Sequence, residues 1–234
     1  MDDFAGKKTK HPHHHTGGLI MKLEKVTLSE QIYQQLRKDI INQTLPAGEK
    51  ITVKMIQEHF STSYTPAREA IRRLAQEGLL ESVTNVGATV ITLTKKDIRE
   101  IYDFCFALDN TAMCAAMEEE TSDNFILSIA KNMRLQEDAL SAEDFDTFRK
   151  LSDDFHDLFF QYANNSRLYH AAELLRSQLT ILTNKYQLLP STMACVAAEH
   201  KKIADALEKH HLSLASELLK KHFEQEKNDM LERA

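Results

Sequence analysis

Residues 61–80 read STSYTPAREAIRRLAQEGLL, and this stretch decides how the N-terminal part of the chain is organised. Ala67, Ala70, Ile71 and Leu74 recur at helical spacing and make one apolar stripe. Arg68 and Arg72, four apart, share another face, with Arg73 beside it. Thr65-Pro66 offers a cap followed by proline at the first helical position, and Gly78 ends the helix. A helix with a buried stripe, exposed arginines and free N–H groups at its start suits the major groove of DNA. Three arginines on a helix are also the mark of an ordinary solvated face, so the flanking sequence has to decide.

Upstream, Ser29 or Thr27 can cap a helix in which Ile32, Leu36, Ile40 and Ile41 recur, and Leu45-Pro46-Ala47-Gly48 stops it. A short helix follows, with Thr52 as cap, Val53, Ile56 and Phe60 apolar, and Ser61-Thr62-Ser63 as its break. Downstream, Leu79–Val83 and Ala88–Leu93 read as two strands joined through Asn85-Val86-Gly87. Three helices followed by a two-stranded ribbon is the order of a winged helix-turn-helix, assigned to residues 21–94.

From Thr94-Lys95-Lys96 onward the pattern is helical throughout. Six helices are expected, over 95–119, 122–139, 142–163, 166–188, 191–209 and 212–232, with Ser122, Ser141 and Ser191 placed as caps. The expected fold is mainly α: a winged helix-turn-helix and then one antiparallel bundle over 95–234. Residues 1–20 are polar, aperiodic and rich in histidine (His11, His13, His14, His15), the composition of a disordered leader or tag.

Composition narrows the function classes. Six Gly, four Pro and no Trp in 234 residues leave room for long helices and little else. No apolar run approaches the ~20 residues of a membrane span, and no secretory signal is visible, so a cytoplasmic protein without a membrane partner is expected. Cys105, Cys114 and Cys195 form no CxxC pair, consistent with a reducing compartment. The net charge of −6 is unevenly spread: residues 22–94 carry nine Lys/Arg against eight Asp/Glu, and residues 95–234 carry seventeen against twenty-five. Charge alone does not forbid DNA binding by the N-terminal part. There is no GxSxG and no glycine-rich phosphate loop.

Residues 28–93 resemble the GntR family of bacterial regulators over nearly their whole length. LSEQIYQQLRKDIINQTLPAGEKI is similar to that family's first helix and Pro-Gly turn. STSYTPAREAIRRLAQEGLLESV is similar to its recognition helix with the trailing EGLL, and Asn85-Val86-Gly87-Ala88 falls at its wing tip. The resemblance implies operator contacts from Thr65, Arg68 and Gly87, with Lys54 on the phosphate backbone. Ser63, Tyr64 and Arg72 complete the candidate DNA-binding set. Tyr64 stands where the family usually has Arg, so a bidentate contact to guanine is missing and operator preference should differ. A homodimer on duplex operator DNA is expected, because one winged helix covers only a half-site.

Of the seven histidines outside the leader, three stand on apolar helix faces. His156 lies with Phe148, Phe155 and Phe159, His200 with Val196, Ile203 and Leu207, and His222 with Ala215, Leu218, Leu219 and Phe223. His200 and His222 are each eleven residues from His211, the expected turn, which puts them level at about 16 Å in an antiparallel hairpin. Two level imidazoles inside a bundle can share a metal, although an inward histidine is also commonly a hydrogen-bonded core residue. Asp109 shares a face with Ile101, Cys105, Leu108 and Ala112 and is either a ligand or an ordinary polar residue at a helix edge. His59, His170, His210 and His211 read as surface or turn residues.

Residues 95–234 resemble the FCD effector domain of the FadR-like GntR branch. DDFHDLFFQYANNSRL is similar to its "FH…N" helix, and AAEHKKIADALEKHHLSLASELLKKHF to its closing hairpin. The resemblance implies that His156, His200 and His222 hold a divalent cation (Zn, Ni, Mn or Fe), commonly completed by a carboxylate, with a small organic carboxylate as effector. The usual carboxylate position, four residues before the first histidine, is Ser152 here, which leaves Asp109 or Asp153. Cys105 stands where many relatives carry an arginine for the ligand, and Arg134, Arg176 and Lys185 are the candidates to compensate, among which the sequence does not decide. The resulting reading is a metal-assisted, ligand-responsive repressor and not an enzyme. Its rivals are a metal-dependent hydrolase, since three histidines with open positions also describe hydrolytic zinc sites, and a constitutive DNA-binding protein with structural histidines.

Overall fold

The computed structural model describes residues 26–81, 83–118, 120, 122–185 and 190–234. The expected leader, residues 1–20, lies outside these.

Helix α1 (Leu28–Ile41) starts at Thr27, whose side chain accepts from the Glu30 N–H. Its apolar stripe of Ile32, Tyr33, Leu36 and Ile40 is buried against α3 (Tyr64–Gln76). Between them lie the strand β1 (Lys50–Thr52) and α2 (Val53–Phe60). Strand β1 is absent from the sequence reading: it is three residues long and its last residue, Thr52, is also the cap of α2. Strands β2 (Leu80–Glu81) and β3 (Gly87–Val90) complete a three-stranded antiparallel sheet of order β1-β3-β2, with Ile51 opposite Ala88 and Leu80 opposite Val90. Both wing strands are shorter than expected.

The start of α3 differs from the expected cap. The residue before it is Ser63, and Pro66 falls third in the helix. Proline is tolerated there because no N–H of the first turn has an intrahelical partner to lose. The end of α3 follows the expectation. Gly78 takes φ +66°, its N–H donates to the Ala75 carbonyl at 3.0 Å, and the Leu79 N–H donates to the Leu74 carbonyl at 2.9 Å. That paired closure needs a residue free of Cβ penalty in the left-handed region.

Six helices build the C-terminal bundle: α4 (Lys95–Glu118), α5 (Ser122–Ser141), α6 (Phe145–Tyr162), α7 (Ser166–Lys185), α8 (Pro190–Glu208) and α9 (Leu212–Arg233). Each lies within a few residues of its expected span. The caps differ: Ser141 ends α5, Asp144 caps α6 by accepting from the Thr147 N–H, and Ser191 lies inside α8. Asp144 holds the cap because α6 starts three residues later than expected, at Phe145, and its carboxylate also suits the positive end of the helix dipole.

Two main apolar cores result, and α7 belongs to both. Leu182 packs in the bundle core with Phe155, Phe159 and Leu219, whereas Ile181 packs in the N-terminal core with Ile32, Ile71 and Leu79. Three hydrogen bonds reinforce the junction. Arg37 Nη2 donates to Ser177 Oγ at 2.6 Å, Gln178 Nε2 to the Gly78 carbonyl at 3.3 Å, and Asn184 Nδ2 to the Ile41 carbonyl at 2.9 Å. The DNA-facing fold is thus seated on one helix of the bundle as well as joined to it at residue 94.

Candidate operator interface and metal centre

Helix α3 buries Ala67, Ala70, Ile71 and Leu74 and leaves Tyr64, Thr65 and Arg72 exposed, with Ser63 exposed just before it. Arg68 reaches across to the wing, where it donates to the Thr84 carbonyl and, at 3.1 Å, to Asn85 Oδ1. Arg72 pairs with Glu69 at 2.7 Å, and Lys54, on α2, pairs with Glu58 at 3.7 Å. Arg73 does not share this face. It pairs with Glu30 and lies over the Tyr33 ring at 3.9 Å, tying α3 to α1.

Gly87 occupies a different place from the one expected of an operator contact. It is buried, its N–H donates to Thr84 Oγ1 at 3.3 Å, and its carbonyl accepts from the Thr84 N–H at 2.7 Å. A Cβ there would stand 2.2 Å from the Ile51 carbonyl oxygen and 2.8 Å from Thr52 Cα. Glycine is required for β1 to approach β3, and the exposed tip of the wing is Asn85-Val86.

The three inward histidines meet. His156 on α6, His200 on α8 and His222 on α9 have ring centroids 4.8–5.3 Å apart, and their donor atoms lie within 4.8 Å of one another. The α8–α9 hairpin turns at 209–211, which sets His200 and His222 level as their equal spacing implies. Each ring is held at Nδ1 by a residue of another helix. His156 meets Asp109 Oδ2 of α4 at 2.7 Å, His200 meets Gln136 Oε1 of α5 at 3.2 Å, and His222 meets Glu199 Oε2 of α8 at 2.8 Å. The Nε2 atoms of His200 and His222 are buried without a hydrogen-bond partner. Orphaned imidazole nitrogens, aimed together and braced from behind, fit a divalent cation of the borderline class.

Electrostatics divides the pair. Burial, reinforced by His222 and His156, holds His200 well below the ordinary histidine range. Burial also opposes charge on His222, but Glu226, Glu199 and Asp109 outweigh it and raise that ring.

A cavity of about 300 Å³ opens beside the histidines, with Cys105, Asp109, His156, Arg176, Asn184 and Glu226 among its walls. Arg176 pairs with Asp157, lies over Phe160 at 4.6 Å, and keeps Nη2 buried without a partner. Asp153 is open to the cavity yet crowded by protein. That crowding, with Glu226 nearby and despite His156 and Arg176, pushes its carboxyl up to about 6.

Residues 28–90 match the family described as bacterial regulatory proteins, gntR family, and residues 100–225 match the FCD domain. The chain belongs to the GntR family of transcriptional regulators. It is similar to the probable D-xylose utilization operon transcriptional repressor of Paenarthrobacter nicotinovorans, at 29% identity over 86% of this chain and 88% of that protein. It is also similar to the transcriptional repressor RspR of Escherichia coli, at 25% identity over 88% of this chain and 83% of that one. In fold it resembles E. coli McbR/YncC, with a TM-score of 0.71 at 19% identity over 88% and 98% of the two chains. This regulator is therefore a DNA-binding protein and not an enzyme.

Of the two arginines expected at its effector, the structure brings only Arg176 to the cavity. Arg134 sits on the exposed face of α5, beside a shallow groove shared with Lys201 on α8, because Asn132 and Gln136 take the inward positions of that helix. His59, His170, His210 and His211 are exposed, as expected. Gln136, Glu199 and Glu226 went unnoticed in the sequence. Glu199, adjacent to His200, and Glu226, one turn beyond His222, had a local signal, and Gln136 had none.

Proposed function

We propose that this regulator is a repressor that senses a small organic carboxylate through a divalent metal. His156, His200 and His222 hold the ion, and Asp109, the carboxylate expected as fourth ligand, instead orients the His156 ring. The observation that carries the reading is the convergence of three braced imidazoles, two with buried Nε2 atoms that have no hydrogen-bond partner, beside a cavity that His156 helps to line. When bound, the ion supplies positive charge that neutral imidazoles leave largely uncancelled, and a carboxylate is its natural occupant. Arg176 Nη2, on the same wall, offers the second anchor and replaces the guanidinium missing at Cys105.

The route to DNA runs through α7. Arg176, Leu179, Thr180 and Thr183 face the cavity, while Ser177, Ile181 and Asn184, about a third of a turn round the helix, hold the N-terminal fold. Asn184 takes part in both. An effector that favours one setting of α7 re-seats the winged helix, and a ligand indifferent to the two settings regulates nothing. Two chains acting on a two-part operator in the cytoplasm complete the reading, with Lys54, Ser63, Tyr64, Thr65, Arg68 and Arg72 facing DNA.

The test is elemental analysis of protein lacking residues 1–20, so that the four leader histidines do not contribute. One equivalent of Zn, Ni, Mn or Fe is expected in the parent, and none in His200→Ala or His222→Ala with helicity retained. A parent that is metal-free as purified, and takes up none of these ions on addition, overturns the reading.

A further inference from the structure

Helix α5 carries a buried polar chain that neither DNA contact nor the cavity uses. Asn132 and Gln136, one turn apart, are 6% and 0% exposed. Asn132 Nδ2 donates to the Leu151 carbonyl of α6 at 3.0 Å. Gln136 Nε2 donates to the same carbonyl at 3.3 Å and to Asn132 Oδ1 at 2.7 Å. A backbone carbonyl only accepts, so it fixes both amides. Turning the Gln136 amide over would set Oε1 against two acceptors, the Leu151 carbonyl and Asn132 Oδ1. Gln136 Oε1 therefore faces His200 Nδ1, at 3.2 Å, and that nitrogen must carry the proton. The lone pair of the ring is left on Nε2, the buried atom without a partner.

We propose that Gln136 is a positioning residue: anchored by Asn132 and the Leu151 carbonyl, it fixes His200 as the Nδ1–H tautomer and so presents Nε2 to the divalent metal. This rests on the metal reading above. The choice of an amide has a reason. Asp109 and Glu199, which hold the other two rings, are carboxylates that can meet a ring nitrogen with or without a charge on the ring. Gln136 is uncharged, and its anchored amide presents only an acceptor oxygen to His200. The Phe155 ring, stacked on His200 at 4.2 Å and 13°, fixes the plane in which this choice is made.

The experiment has two readings on protein lacking residues 1–20, so that the leader histidines take up no cobalt. In metal-stripped wild type, ¹⁵N shifts of the His200 ring should show a protonated Nδ1 and a bare Nε2. Cobalt(II) titration against a chelator, followed by its visible absorption, should then give 10- to 100-fold weaker binding in Gln136→Met than in wild type. The variant's His200 should be a mixture of tautomers. Asn132→Ala, which loosens the anchor and leaves Gln136 in place, should shift both readings in the same direction. A purely structural Gln136 would lower thermal stability and leave tautomer and cobalt affinity alone. A protonated Nε2 in wild type, or a folded Gln136→Met that binds cobalt as wild type does, overturns the proposal. Wild type with the expected tautomer and no cobalt uptake overturns the metal reading instead, and the tautomer assignment stands.

Discussion

Replacing Ile181 with alanine should loosen the grip of the bundle on the winged helix without unfolding either. Ile181 is 4% exposed and sits in the core of the N-terminal fold although its helix belongs to the other one. The substitution deletes three buried carbons, worth about 2.4 kcal/mol at ~0.8 kcal/mol per methylene, before any cavity term. Ser177, Gln178 and Asn184 still make their hydrogen bonds, each worth ~1 kcal/mol, so docking weakens and is not abolished. The deficit corresponds to a docked-to-undocked ratio lower by roughly 50-fold. Amide hydrogen exchange read by mass spectrometry localises the effect. Peptides covering the end of α1 and the α3–β2 turn, where α7 is clamped, should exchange up to ~50 times faster, while α5 and α8 keep their protection. Exchange that is unchanged at the clamp, or accelerated equally throughout the chain, would refute the assignment of α7 as the joint between ligand cavity and DNA-binding fold.

Two further outcomes are expected. Arg68→Ala should lose discrimination worth about 1–3 kcal/mol between operator and random duplex with the fold intact, whereas Lys54→Ala should weaken all duplexes alike and lower the salt slope by about one. Filter binding at several salt concentrations separates the two, and equal operator affinity in Arg68→Ala sinks the recognition-helix assignment. Burial, then Asp109, push the Cys105 thiol up to about 12, so at pH 8 about one molecule in ten thousand carries the thiolate. Exposed Cys195 should be alkylated by iodoacetamide well before Cys105, and rapid labelling of Cys105 in native protein would show that its burial is wrong.

The sequence is legible where one element decides the answer. The stripe Ala67–Leu74 lies within α3 and the closure at Gly78 directly follows it, and the level of His200 and His222 follows from residue counting about one turn. What escaped depends on two elements meeting. Nothing in the sequence around Asn132 and Gln136 says that α5 lies against α6 and α8, so their role as a brace is invisible until the helices are packed. Ile181 and Leu182 are adjacent apolar residues on α7, and only packing sends one to each core. Gly87 reads as a turn glycine from its neighbours, whereas the constraint on it comes from Ile51 and Thr52 on another strand. Arg134 and Arg176 are equally plausible cations in the sequence, and the inward set of each helix separates them.

The three cations of the proposed DNA face each have a partner inside the protein: Lys54 with Glu58, Arg72 with Glu69, and Arg68 with the wing at Thr84 and Asn85. Contact with phosphate or base competes with these pairings, and the Glu58 and Glu69 carboxylates beside Lys54 and Arg72 offset part of their attraction for the duplex. Random DNA, which offers phosphate and nothing more, returns little for that exchange, while a matching site adds base contacts that outweigh it. On the proposed DNA face, discrimination between sites would then rest on base contacts, and the time spent on a duplex would follow from them.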